Sequence, residues 1–162
     1  MAARAIASRT MFFDLALVYD RQARRCDLAL SDDGDLLVDE TPITPILLSV
    51  GLDRRADPDD ELPQGRTRFL TPATFSERRG SAGDGLDAAG ERAGSRLWLL
   101  DRAKETETTR LLFDVWLGEC LEWAEGETGV PAEREVAWVR PQTLAWRVLV
   151  EDVAVSQKRE LG

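Results

Sequence analysis

Two pairs of closely spaced glutamates, Glu122 with Glu125 and Glu133 with Glu135, are the residues whose type and spacing could do acid–base chemistry. Paired carboxylates cleave sugar linkages when an apolar pocket keeps one protonated and the other stands at a fixed separation. The sequence supplies neither condition, and Glu122 and Glu125 fall on the polar face of an expected helix, which reads as solvated surface. The run Asp57, Asp59, Asp60 and Glu61 lacks the mid-loop glycine and terminal glutamate of a calcium loop. Gly83-Asp84-Gly85-Leu86-Asp87-Ala88 matches a phosphate-cradling turn in letters, but Phe75 to Gly80 before it is no buried strand. The chain has no histidine, which removes the commonest general base, the commonest transition-metal ligand and every Ser-His or Cys-His nucleophile pair. Cys26 and Cys120 stand too far apart in sequence for a metal knuckle or redox motif and suit a reducing compartment. No catalytic, cofactor-binding or metal-binding residue is therefore expected, and no cofactor.

At 162 residues the chain fits one domain, expected to span 1–162, with a core that needs no disulfide or metal. A net charge of -9 argues against a nucleic-acid partner, and no run of apolar residues is long enough for a bilayer or a signal sequence. Phe13 to Tyr19, Cys26 to Leu30 and Leu36 to Val38 read as N-terminal antiparallel strands, the last two flanking a turn at Asp32-Asp33-Gly34-Asp35. Thr41-Pro42 starts a helix whose face is Ile43, Ile46, Leu47 and Val50, ending near Gly51.

Residues 53–94 are rich in Pro, Gly, Arg and Asp and form a long irregular connector, a length that suggests contact with a partner. Gly94-Ser95 then gives way to the apolar run Leu97-Trp98-Leu99-Leu100, read as the start of a helix reaching Lys104. A second helix carries Leu112, Phe113, Trp116, Leu117, Cys120, Leu121 and Ala124 on one side and is closed by Gly126 and Gly129. Val136, Trp138 and Arg140, then Leu144, Trp146, Val148 and Val150 after a turn at Pro141-Gln142, make a C-terminal hairpin. Of five tryptophans, Trp123 and Trp138 are expected to lie partly outside the core. The fold class is α+β: small antiparallel sheet from the two sets of hairpins, packed with about three helices.

The order of segments resembles the Mu-type baseplate wedge proteins of contractile-tailed phages, similar to the wedge protein of gene 25 in T-even phages and to the TssE baseplate subunit of type VI secretion. Asp14 to Val18, Leu47 to Ala56, and Arg79-Gly80 leading through Gly83-Asp84 to Gly94 and Arg102 carry the resemblance, completed by the helix and hairpin. Two places depart from the pattern. Ser81-Ala82 stands where Mu-type members carry tryptophans, and Pro131-Ala132-Glu133-Arg134 stands where the wider family has Glu-Pro-Arg.

The resemblance implies a structural wedge subunit of a contractile phage tail or tail-like particle. It would be made in the host cytoplasm, reside in the virion tail baseplate, and join other wedge proteins to the sheath whose assembly it helps initiate. Expected partners are wedge proteins, the sheath protein and the central spike or hub, with no enzyme activity. The residues assigned to that interface are Asp53, Arg54, Arg55, Arg79, Glu133, Arg134, Val136, Trp138 and Arg140. A hairpin edge in 134–140 or 144–150 could accept a partner strand through free backbone groups. The alternative functions are a carboxylate-dependent peptidoglycan hydrolase of the tail and an assembly adaptor that leaves before maturation.

Overall fold

A computed structural model describes residues 12–20, 22, 25–65, 74, 76–81, 84 and 92–162. Near the N-terminus, β1 (Asp14–Leu15) pairs antiparallel with β4 (Val38–Asp39), and β2 (Leu17–Asp20) with β3 (Arg25–Leu28). The turn expected at Asp32–Asp35 forms: the Ser31 amide donates to the Asp35 carbonyl at 2.8 Å, Gly34 takes φ +86°, and Leu30 bridges Leu36.

Helix α1 (Ile43–Gly51) begins where expected. The Thr41 hydroxyl accepts from the Ile43 amide at 3.3 Å and donates to the Asp39 carboxylate at 2.7 Å, while Pro42 stands where no intrahelical N–H is needed. Ile46 and Val50 are buried. Thr44, also buried, donates its hydroxyl to the Leu15 carbonyl at 3.1 Å and accepts from the Leu17 amide at 3.4 Å, so one side chain holds the first strands against the helix.

The run Leu97–Leu100 is a single 3₁₀ turn, not the longer helix its spacing suggested. Four consecutive residues are buried there because the turn lies between two apolar clusters: Leu97 and Leu100 join the main core, while Trp98 and Leu99 meet Ala56 and Leu62. An extended α-helix would bury one face and expose the rest.

Helix α2 (Glu107–Glu119) is capped by Thr106, whose hydroxyl accepts from the Thr109 amide at 3.1 Å. The expected single helix divides in two: after Glu119 the backbone tightens through Leu121 N–H to Gly118 C=O, 3.0 Å, and α3 (Trp123–Thr128) follows. The break lets Cys120, Leu121 and Ala124 all enter the core, and it turns Trp123 so that its indole donates to Ser49 at 2.9 Å. Leu112, placed by periodicity on the buried side, is instead 39% exposed. Gly129, with φ +75°, ends α3 as a left-handed cap.

The C-terminal sheet has three strands in the order β5 (Glu133–Arg140), β6 (Thr143–Val150), β7 (Val153–Glu160). Leu144, Trp146, Val148 and Val150 are all buried, as alternation predicts. β7 adds a third strand to the expected hairpin and corrects the edge assignment: residues 144–150 lie at the centre of the sheet, so they offer no free edge. The class is α+β with three helices among the described residues, and the antiparallel strands form three small sheets. The main core joins α1, the 3₁₀ turn, α2, α3 and β6.

Candidate interaction surface

The described ends of the connector are docked on the core, and arginines hold them there. Asp53 and Ser95 form a parallel bridge, with Arg54 N–H to Ser95 C=O and Ser95 N–H to Leu52 C=O both 2.9 Å. Gly94 permits this approach, since at φ +86° an added Cβ would stand 2.4 Å from the Leu52 carbonyl oxygen. Arg79 lies over the buried Trp98 ring, 4.3 Å from its centroid, and pairs with Asp53 at 2.7 Å and Asp101 at 3.6 Å. Asp101 in turn accepts from Arg159 on β7 at 2.6 Å. The Arg54 carbonyl accepts from the Trp98 indole at 2.8 Å, and its own Nε is buried without a hydrogen-bond partner. Arg55 donates to the Arg79 carbonyl at 3.2 Å. The four expected residues Asp53, Arg54, Arg55 and Arg79 are thus brought together around Trp98.

A second arginine centre has no signature in the sequence, since its partners are distant along the chain. Arg96 forks onto Glu119 at 2.6 and 2.8 Å through one nitrogen, and reaches Asp60 at 3.1 Å and Asp57 at 3.3 Å through another. Its guanidinium also stands 5.3 Å from the Trp116 centroid. Burial works against the charge, but the Glu119 and Asp60 carboxylates outweigh it and hold the Arg96 pKa above its ordinary value. The acidic run 57–61 therefore serves in part as the counter-charge of an arginine, with Arg92 also pairing to Asp57 at 2.7 Å. Among the described residues no group of acidic or cysteine ligands is arranged for a metal ion.

The other five expected residues lie apart from that cluster, on β5. Arg134 packs against Gly118 and pairs with Asp114 at 3.2 Å. Val136 and Trp138 are half-buried, packed against the core, and the Trp138 indole donates to the Thr106 carbonyl at 3.3 Å. Glu133 faces Leu149 across the ladder and Arg140 faces Thr143, both exposed. Arg110 of α2 donates to the Val136 carbonyl at 3.3 Å, so a helix side chain occupies part of the outer edge of β5. β7 differs: among the described residues no strand pairs with its outer side. Leu161 N–H donates to the Gln142 carbonyl, which fixes the alternation and turns the backbone groups of Ala154, Ser156, Lys158 and Glu160 outward.

The remaining chemical candidates are open or inert. Glu122, at the N-cap of α3, and Glu125, in its first turn, are exposed, as are Glu133 and Glu135 on β5. Burial pushes the Cys120 thiol up to about 12, whereas Cys26 is exposed, and both are free. Trp123 and Trp138 are half-buried, as expected of them. The Gly83–Ala88 motif lies almost wholly outside the described residues. Among the described residues no helix is long and apolar enough to cross a membrane.

Comparison with known proteins gives two matches. Residues 42–157 match the family model described as Phage protein GP46. The chain is also 36% identical over 110 residues to the baseplate protein gp46 of Escherichia phage Mu, an alignment covering 68% of this chain and 66% of that protein. No solved structure matches.

Proposed function

The chain belongs to the phage protein GP46 family, and from that premise we propose that it is a structural, non-catalytic subunit of a phage tail baseplate. Its similarity to a baseplate protein of phage Mu supports the location. In the finer reading it is a wedge subunit of a contractile tail, joined to other wedge proteins and carrying the sheath protein from which sheath assembly starts. Glu133 and Arg140 would contribute as exposed contacts, while Asp53, Arg79 and Arg134 act by holding the surface in place.

The observation that carries sheath attachment is the outer edge of β7. Eight residues of extended backbone, with alternate N–H and C=O groups unpaired by any described strand, suit the addition of a strand from another protein. Such an edge binds without an acid, a base or a metal.

Ser156→Pro tests this directly, because proline removes an outward N–H that the fold does not use and is tolerated on edge strands. The variant is expected to melt within about 3 °C of the parent, roughly 1 kcal/mol at this size, yet to lose co-sedimentation with purified sheath protein. Sheath binding by Ser156→Pro equal to the parent would refute the edge. Absence of the chain from purified tails, measured by mass spectrometry, would refute the baseplate role.

A further inference from the structure

Helix α2 leaves an apolar strip uncovered. Leu111 and Val115, one turn apart on a well-formed helix, are 50 and 54% exposed, whereas Leu112 lines a separate cavity with Leu62, Leu99 and Trp116. Val115 continues into a groove floored by Leu121, Pro131 and Ala132, next to the exposed Val130. Solvent-facing positions on a helix favour polar residues, so apolar side chains along such a strip mark a binding surface.

The rim of the groove is acidic. Glu122 and Glu125 border it, and neither is ion-paired among the described residues. Glu119 and Arg134, also on the rim, are already neutralised by Arg96 and Asp114. The uncompensated charge at the groove is thus negative on a chain of net charge -9. A second copy docking by this face would bring Glu122 and Glu125 against their like, which disfavours self-association here. The groove runs along a helix whose backbone groups are bonded within it, so an occupant lying there gains no ladder from α2 and must satisfy its own N–H and C=O groups internally. An α-helix does so.

We propose that the groove between α2 and the 129–132 segment receives a basic amphipathic helix of another protein, its apolar anchors on Leu111 and Val115 and its Lys or Arg residues beside Glu122 and Glu125. This rests on the surface alone and is independent of the baseplate role and of β7.

The test is selection of a displayed library of helical peptides, about 18 residues long so that helix formation is feasible. Each carries leucines at helical spacing and flanks randomised among Lys, Glu, Gln and Ser, and the full-length chain is the target. Enriched peptides are expected to carry Lys flanks. Their binding should weaken by about tenfold, a commonplace loss for an interface anchor, with Val115→Asp and with Glu122→Lys/Glu125→Lys, and stay unchanged with Lys158→Glu on β7. The glutamate variants remove no described contact, so unchanged melting separates a binding defect from misfolding. No enrichment, acidic or neutral consensus flanks, or indifference to the groove substitutions would each overturn the proposal. So would a dimer in sedimentation that Val115→Asp dissolves, since the face would then be a self-interface.

Discussion

Among the described residues Arg96 is the side chain on which the most charge converges, and its removal should be the costliest single change in their ion-pair network. Its side chain is 17% exposed, and Asp57, Asp60 and Glu119 all gather around it. Replacing it leaves carboxylates drawn together without their cation, and partly buried charges in that position are expensive. Arg96→Met should lose about 3 kcal/mol in urea unfolding, and Arg96→Lys should recover only part because an ammonium cannot fork onto Glu119. A loss below about 0.5 kcal/mol, usual for exposed pairs, would show the cluster to be ornamental. Cys120 gives a pH signature. Its thiol is raised from 9.0 to about 12 in the fold, so above pH 9 the unfolded chain holds fewer protons than the native one and stability falls as pH rises. Between pH 9 and 12 that group contributes a loss of about 1.4 kcal/mol per pH unit. The difference between the parent and Cys120→Ala in denaturant unfolding isolates it; a difference independent of pH would contradict the buried thiol.

At the scale of elements, Gly94 and Gly34 make a matched pair. Both have φ +86°, but a Cβ at Gly34 meets open space and one at Gly94 meets the Leu52 backbone. Gly34→Ala should cost about 1 kcal/mol of strain, and Gly94→Ala roughly 3 kcal/mol or more, since displaced backbone adds to it. Equal melting temperatures for the two would mean the Gly94 contact is unimportant. Much at this scale was legible in the sequence, because α1 has its proline-led start, Asp32–Asp35 its turn chemistry, and β6 its strict alternation. The failures have physical reasons. β7 reads Val-Ala-Val-Ser-Gln-Lys-Arg-Glu, five of its eight residues polar as an edge strand allows, and it follows a turn in which Glu151 adopts φ +53° without a glycine to announce it. The division of α2 from α3 leaves an unbroken apolar period in sequence, since tertiary packing imposes it. The Arg96 centre is invisible because its partners lie 23 to 39 positions away, where no periodicity reaches.

Over the whole molecule, the expected interface residues separate into two places that perform different tasks. Those near Asp53 and Arg79 brace the connector around Trp98, while those on β5 lie beside α2. Resemblance located the segments, but only three-dimensional proximity distinguishes a brace from an exposed contact. The bridge between Asp53 and Ser95 has one more consequence. The chain between them therefore leaves and re-enters the core at one place, and two backbone hydrogen bonds of 2.9 Å fix the end of α1 beside the start of the 3₁₀ turn. Ala56, Leu62 and Arg79 lie within that span and close over Trp98 and Leu99, so the detour in the chain is itself the lid of the second apolar cluster, and shortening it through those residues would open that cluster to water.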